Sequence, residues 1–232
     1  MKPRKPSKDS VIELIEKKGS LKRDVFELAT EQFKVFKGIL EAKTRIWKAA
    51  VEKIDPRLEV AFIDQGHYHA QLTIAGDVLL FNMHTNVFRF PDDSIHWKTG
   101  YLSNDHNRSY CASIRVYNFL ADSLRFNRRG DIGYLVGRVL LNKENHFLVE
   151  GKREISVQFN DFAGSEFDTA NMASVIDEMV KYCIGFDLLL PDFRTVQEIS
   201  FEAASELKDT IQLKTGKRLG FQFGAEEDIP QG

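Results

Sequence analysis

Cysteine is scarce: the 232 residues hold 2, Cys111 and Cys183, which cannot make a disulfide framework and belong to no Cys-x-x-Cys pair. Both are expected to be small buried apolar residues. No apolar run approaches the roughly 18 residues of a membrane-spanning helix, so no membrane partner is expected. Charge of one sign is also missing. A net charge of −2 removes the broad basic footprint of a general nucleic-acid binder. Walker, Rossmann and Gly-x-Ser-x-Gly patterns are absent, and with them a phosphate-cradling glycine loop and a nucleophile elbow. The basic start, Met1 to Lys8, is followed by amphipathic rather than uniformly apolar sequence, unlike a signal peptide, and a cytoplasmic protein is the expectation.

What is present describes a folded chain, since 43% hydrophobic residues with 28% charged residues exclude wholesale disorder. Residues 1–9, rich in Pro and Lys, are expected to be disordered, and 225–232 to form a flexible tail, with 10–224 as one α+β domain. A short helix from Ser10 to Lys18 is expected to stop at Gly19-Ser20. Ser20 then caps a long helix to about Ile54, ended by Pro56. Within that helix Phe26, Phe33, Leu40, Trp47 and Ile54 recur every seven residues. Such a stripe suits either the domain's own sheet or a homodimer through helix 21–54. Lys43 in the seam and the bulky aromatics favour the sheet.

From Leu58 to Phe90 the period falls to two, giving successive antiparallel strands. With Ala75-Gly76 as a two-residue turn, Ile74 faces Asp77, Leu72 faces Leu79 and Ala70 faces Phe81, all on an apolar side. The other side pairs His69 with Asn82 and His67 with His84. His67, His69 and His84 would then share one face of one hairpin, with neighbours about 5–7 Å apart. Three imidazoles at that spacing could hold Zn²⁺ or another divalent metal. In that local pattern alone the trio resembles the metal sites of cupins and carbonic anhydrases. The glutamate and glycines of a cupin are missing, and the alternative is three polar side chains on a wet face.

The stretch from Tyr134 to Phe159 is expected to be the central hairpin, with Lys143-Glu144-Asn145-His146 as a four-residue loop. Its second strand carries Glu150-Gly151-Lys152, which resembles the second half of a PD-(D/E)xK nuclease motif. The resemblance implies Mg²⁺ held by Glu150 and a further acid, Asp131 by spacing, with Lys152 beside it. The expected register places Val139 opposite Glu150 and Gly137 opposite Lys152. It leaves Asp131 about 25 Å along the strand, with no acid opposite Glu150.

Between the two sheet regions, residues 91–108 form a long polar connection containing Asp92, Asp93, His96, Trp97, Tyr101 and His106. Connections of that length are functional or disordered, and aromatic residues argue for an ordered binding or lid loop. After the hairpin, Asp168 caps a helix that buries Met172, Val175, Ile176, Met179, Val180 and Cys183 and ends at Gly185. A buried connector, Leu188 to Pro191, and a second helix from about Val196 to Leu213 should follow, with a last short strand at Leu219–Phe223.

The fold class is therefore α+β: an antiparallel sheet from 58–90 and 110–159, covered by the long N-terminal helix and the C-terminal helices. With no complete catalytic constellation, the expected function is binding of a small molecule or protein partner. The three-His metal site and the Glu150/Lys152 nuclease are its alternatives.

Overall fold

The computed structural model describes residues 10–187 and 192–200. It contains an antiparallel sheet of β1 (Val60–Asp64), β2 (His69–Ile74), β3 (Asp77–Met83), β4 (Phe88–Arg89), β5 (Tyr110–Leu120), β6 (Tyr134–Asn142) and β7 (Phe147–Gly151). The order is β1-β2-β3-β5-β6-β7, with β4 paired to β5 at Cys111 and Tyr110, beyond the end of β3. The helices are α1 (Ser10–Leu14), α2 (Ser20–Ile54), α3 (Gly100–Asn104), α4 (Ala121–Arg125), α5 (Arg153–Ser156), α6 (Thr169–Ile184) and α7 (Phe193–Val196). This is the expected α+β arrangement, with an antiparallel sheet covered by a long N-terminal helix and a C-terminal helix. The expected termini, the connector at 188–191 and the strand at 219–223 lie outside the described residues. Of the expected helix from about Val196, residues 197–200 are not helical and 201–213 lie outside.

The break expected at Gly19-Ser20 is not there. A π-helical turn, Ile15–Gly19, joins α1 to α2, and Gly19 and Ser20 both keep right-handed helical dihedrals. No proline intervenes to remove a backbone donor, so helix continues until Asp55 turns to extended backbone ahead of Pro56.

One face of the sheet carries α2 and α6. From α2 it buries Val25, Ala29, Phe33, Phe36, Leu40 and Thr44. The seven-residue stripe is thus only partly right: Phe33 and Leu40 are buried, Phe26 and Trp47 half-buried, and Ile54 is 81% exposed. A straight helix drifts about 20° per heptad against a strict seven-residue repeat, so the ends of such a stripe rotate off the sheet. Phe36 is the hub. It stacks on Phe33 at 6.2 Å and Phe167 at 6.0 Å and tilts against Phe81 of β3 at 5.7 Å. Two ion pairs lock the helix sideways. Lys37 Nζ donates to both Asp64 oxygens (2.7 and 2.9 Å) and to the Gly66 carbonyl (2.7 Å), and Lys43 Nζ reaches Asp177 of α6 at 2.8 Å. On α6, the Asp168 carboxylate accepts from the Asn171 backbone N–H, and the six residues expected on the apolar stripe are all buried.

The central hairpin differs from expectation by one residue. Leu141 pairs with Phe147 and Arg138 with Glu150, so the loop is Lys143-Glu144-Asn145, closed by the Asn142 N–H donating to the His146 carbonyl. Asn145 adopts φ 62°, the left-handed residue that a three-residue hairpin loop requires. The strand also ends early. Gly151 lies so close to β6 that a Cβ there would sit 2.8 Å from the Val136 carbonyl oxygen and 3.1 Å from the Gly137 Cα. Beyond it the chain turns into α5 rather than continuing to Phe159, whose carbonyl instead accepts from the Val149 N–H on the outer edge of β7. Phe147 N–H likewise donates to Ser165, so the return segment covers an edge that would otherwise be open.

Phe36→Ala should cost about 3–5 kcal/mol in urea unfolding. Ile54→Ala, in the same sequence stripe, should change stability by no more than about 0.5 kcal/mol.

Candidate functional site

Among the described residues, the second sheet face has no long helix. Its cover is the connection 91–109, which is ordered as a 3-10 turn (Ile95–Lys98), α3 and a second 3-10 turn (His106–Ser109). Leu102 of α3 and Phe90 pack with Cys111, Leu140, Leu148 and Phe162 in a small second core. Polar bonds latch this cover to the tip of the β6–β7 hairpin. Tyr101 Oη donates to Glu144 at 2.9 Å and accepts from Asn142 Nδ2 at 2.8 Å, while Arg108 Nε reaches Glu144 at 3.0 Å and Lys143 Nζ reaches Asp105 at 2.6 Å. The Tyr101 ring stacks on His146 at 5.3 Å, with the Arg108 guanidinium 4.5 Å from its centre. Burial pushes the Tyr101 phenol up to about 12. Glu144 is held below the usual carboxylate range: burial opposes its ionisation, but the bonds from Arg108 and Tyr101 outweigh it.

Short of the latch, between the start of the cover and β5–β7, the face stays open as a cavity of about 480 Å³. Its floor is Cys111, Ser113 and Arg115 of β5, Arg138 and Leu140 of β6, and Glu150 of β7. Phe88 to Pro91, Asp93 and Ser94 form the wall on the cover side. The register builds a polar row over this floor and beyond it. His69, Asn82, Arg115, Arg138 and Glu150 stand directly opposite one another on β2, β3, β5, β6 and β7. Two guanidiniums are thereby adjacent across strands, an arrangement that like charges disfavour. Glu150 pairs with Arg138. Arg89 pairs with Asp92 at 2.7 Å. Among the described residues, the Arg115 side chain has neither ion pair nor hydrogen bond. Ser113 is 3% exposed, and among the described residues its hydroxyl has no hydrogen-bond partner. The neighbouring buried Ser109, by contrast, donates its hydroxyl to the His106 carbonyl at 2.6 Å.

These groups do not form a nucleophile with its base. Burial pushes the Cys111 thiol up, and the Glu150 carboxylate adds to the effect, so it stays a neutral thiol. No histidine ring bonds the Ser113 hydroxyl. The arrangement can bind charge and apolar surface together.

The residues singled out in the sequence are largely elsewhere. Asp93 lines the cavity, whereas Asp92 points to Arg89 and is 84% exposed. His96 packs on Phe90 at 4.8 Å, Trp97 donates its indole N–H to the Pro91 carbonyl at 2.7 Å, and His106 packs edge-on to Trp97 at 5.3 Å. With Tyr101 they hold the cover together.

The three histidines are not brought together. The expected hairpin register is present from His69–Asn82 to Ile74–Asp77, but Gly66, at φ 101°, turns the chain out of the strand before His67. His67 lines the groove between α2 and β1 instead. His69 Nε2 accepts from Asn82 Nδ2 at 2.8 Å, and His84 Nδ1 accepts from the Asn86 N–H at 2.9 Å. Among the described residues no group of three His, Cys, Asp or Glu is placed to hold a metal ion. Asp131 accepts from the Ser123 hydroxyl at 2.6 Å near α4, and Arg128 stands 3.9 Å away. Glu150 meets an arginine where the nuclease pattern needs an acid. Lys152 lies past the end of β7, as the cap of α5.

Sequence reasoning missed Ser113, Arg115 and Arg89, and its register, with Val139 opposite Glu150, turned Arg138 to the other face. The alternation Cys111-x-Ser113-x-Arg115 was a usable signal for one polar face. The Arg115–Arg138 pairing depends on β5–β6 register across the connection that includes α4, which no local pattern sets.

No protein-family model, curated protein or solved structure matches this chain.

The stability contributed by neutral Tyr101 is fully present below the ordinary phenol value of 10.0 and is lost as pH rises through about 12. Wild type should therefore lose stability between pH 10 and 12 more steeply than Tyr101→Phe, measured by urea unfolding at each pH. Equal slopes would show that the phenol does not latch the cover.

Proposed function

We propose that this protein is a small-molecule-binding module whose ligand lies in the cavity between β5–β7 and the 88–94 segment. The observation that carries this reading is the cavity itself. Its volume of about 480 Å³ falls in the range of about 300–1,000 Å³ typical of ligand sites. Apolar walls from Phe88, Phe90, Pro91 and Leu140 meet a few convergent polar groups, the combination that gives affinity from burial and orientation from hydrogen bonds. The latched cover supports the same reading, because a segment whose far end is held at Tyr101 and Glu144 needs little reordering on binding. Both cysteines are free and buried, which suits a reducing cytoplasmic setting.

The competing groove between α2 and β1 is less suited. Its central charges, Lys37 and Asp64, already satisfy one another.

A fragment screen by ligand-observed NMR tests the proposal. Wild type should yield a set of fragments that compete with one another. Ser113→Leu, which puts an isobutyl group into the cavity, should abolish their binding while leaving the circular dichroism spectrum native. Phe88→Trp, at the exposed rim, should weaken them without touching the core. Fragments that bind both variants as they bind wild type would place the ligand site elsewhere.

A further inference from the structure

We infer that the ligand of this cavity carries an oxyanion, a carboxylate or a phosphate, held by the Arg115 guanidinium and the Ser113 hydroxyl. The inference rests on the cavity being the binding site and adds the chemistry of what it takes. Charge is the first argument. Of the three guanidiniums that line the cavity, Arg89 pairs with Asp92 and Arg138 with Glu150, while Asp93 on the wall is the other lining carboxylate. The side chains of Arg115 and Arg138 start from directly opposite positions on neighbouring strands, and Glu150, opposite Arg138 on the far side, pairs with Arg138 alone. Arg115 is left half-buried beside a like charge, with no anion of its own among the described residues. A ligand oxyanion would supply it.

The Ser113 hydroxyl is the second argument and is independent of the first. A buried hydroxyl without a partner is destabilising, and natural structures satisfy nearly all such groups. Ser113 lies two residues from Arg115 on β5, so both side chains leave the same face about 7 Å apart at their origins. An oxyanion between them accepts from the guanidinium fork and from the hydroxyl at once, and charge-assisted bonds of this kind are about twice as strong as neutral ones. The apolar wall of Phe88, Phe90 and Leu140 beside this pair fits an aromatic or aliphatic body on the same ligand.

Three probes of one size separate the possibilities: benzoate, phenyl phosphate and neutral benzamide, each titrated by ligand-observed NMR. One or both anions should bind about tenfold more tightly than benzamide, and the stronger of them names the head group. Arg115→Gln should erase that preference, and Arg115→Lys should restore part of it. Ser113→Ala should weaken the preferred anion about threefold or more and at the same time raise the melting temperature of the free protein, since it removes a buried unsatisfied hydroxyl. A structural role for Ser113 would lower that temperature instead. Glu150→Gln, which frees Arg138 as a second cation, should tighten anion binding. If benzamide binds as tightly as both anions and Ser113→Leu abolishes all three, the cavity is the site and the oxyanion inference is wrong. If neither these probes nor any screened fragment is sensitive to Ser113→Leu, the binding-site reading falls with it.

Discussion

Phe36 is the contact on which the rest of the arrangement depends. It joins α2 to β3 through Phe81 and to the approach of α6 through Phe167, which in turn packs on Phe147 of β7 at 5.1 Å. One aromatic chain thus spans the helix layer and reaches both the middle and one edge of the sheet. Burying such rings is worth far more than the surface ion pairs along α2, which contribute about 0–1 kcal/mol each. Once this face is dry, strand registers are fixed, because a slip of one residue would turn each apolar set outward.

A sheet with its helices on one side leaves the other to be managed differently. Among the described residues the cover is a short irregular segment, and Phe90, Leu102 and their neighbours form a small core beneath it. Its hold on the hairpin is mostly polar: Tyr101, Arg108 and Asp105 against Glu144, Asn142 and Lys143. Two kinds of adhesion therefore operate on the two faces, apolar packing on one and a hydrogen-bonded latch on the other. The cavity lies where the second kind of cover stops.

Much of the first face was legible in the sequence, and much of the second was not. The 69–83 hairpin register followed from one two-residue turn, with Ala75 at φ 51°, and the α6 stripe from 3.6-residue spacing anchored by Asp168. These are local patterns. The central hairpin failed on a single loop residue: counting His146 in the loop rather than as the partner of Asn142 shifted the pairing by one and put Val139 opposite Glu150. The same slip separated Glu150 from Arg138, so the ion pair on the cavity floor went unseen. His67 was lost for a related reason: β2 begins only at His69, after a turn with Gly66 at φ 101°, two residues later than pairing His67 with His84 required. Alternation shows which residues share a face but not where a strand stops.

The chemistry of the cavity follows from that register more than from any motif. A Glu-x-Lys pair on an apolar strand suggests a metal site only if a second carboxylate stands across from the glutamate. With Arg138 in that position, the Glu150 carboxylate is neutralised by a guanidinium and offers a cation little. The same pairing leaves Arg115, one strand inward, without an ion pair among the described residues. Burial pushes the Cys111 thiol up, and among the described residues the Ser113 hydroxyl has no partner, so the floor presents hydrogen-bond donors to the cavity.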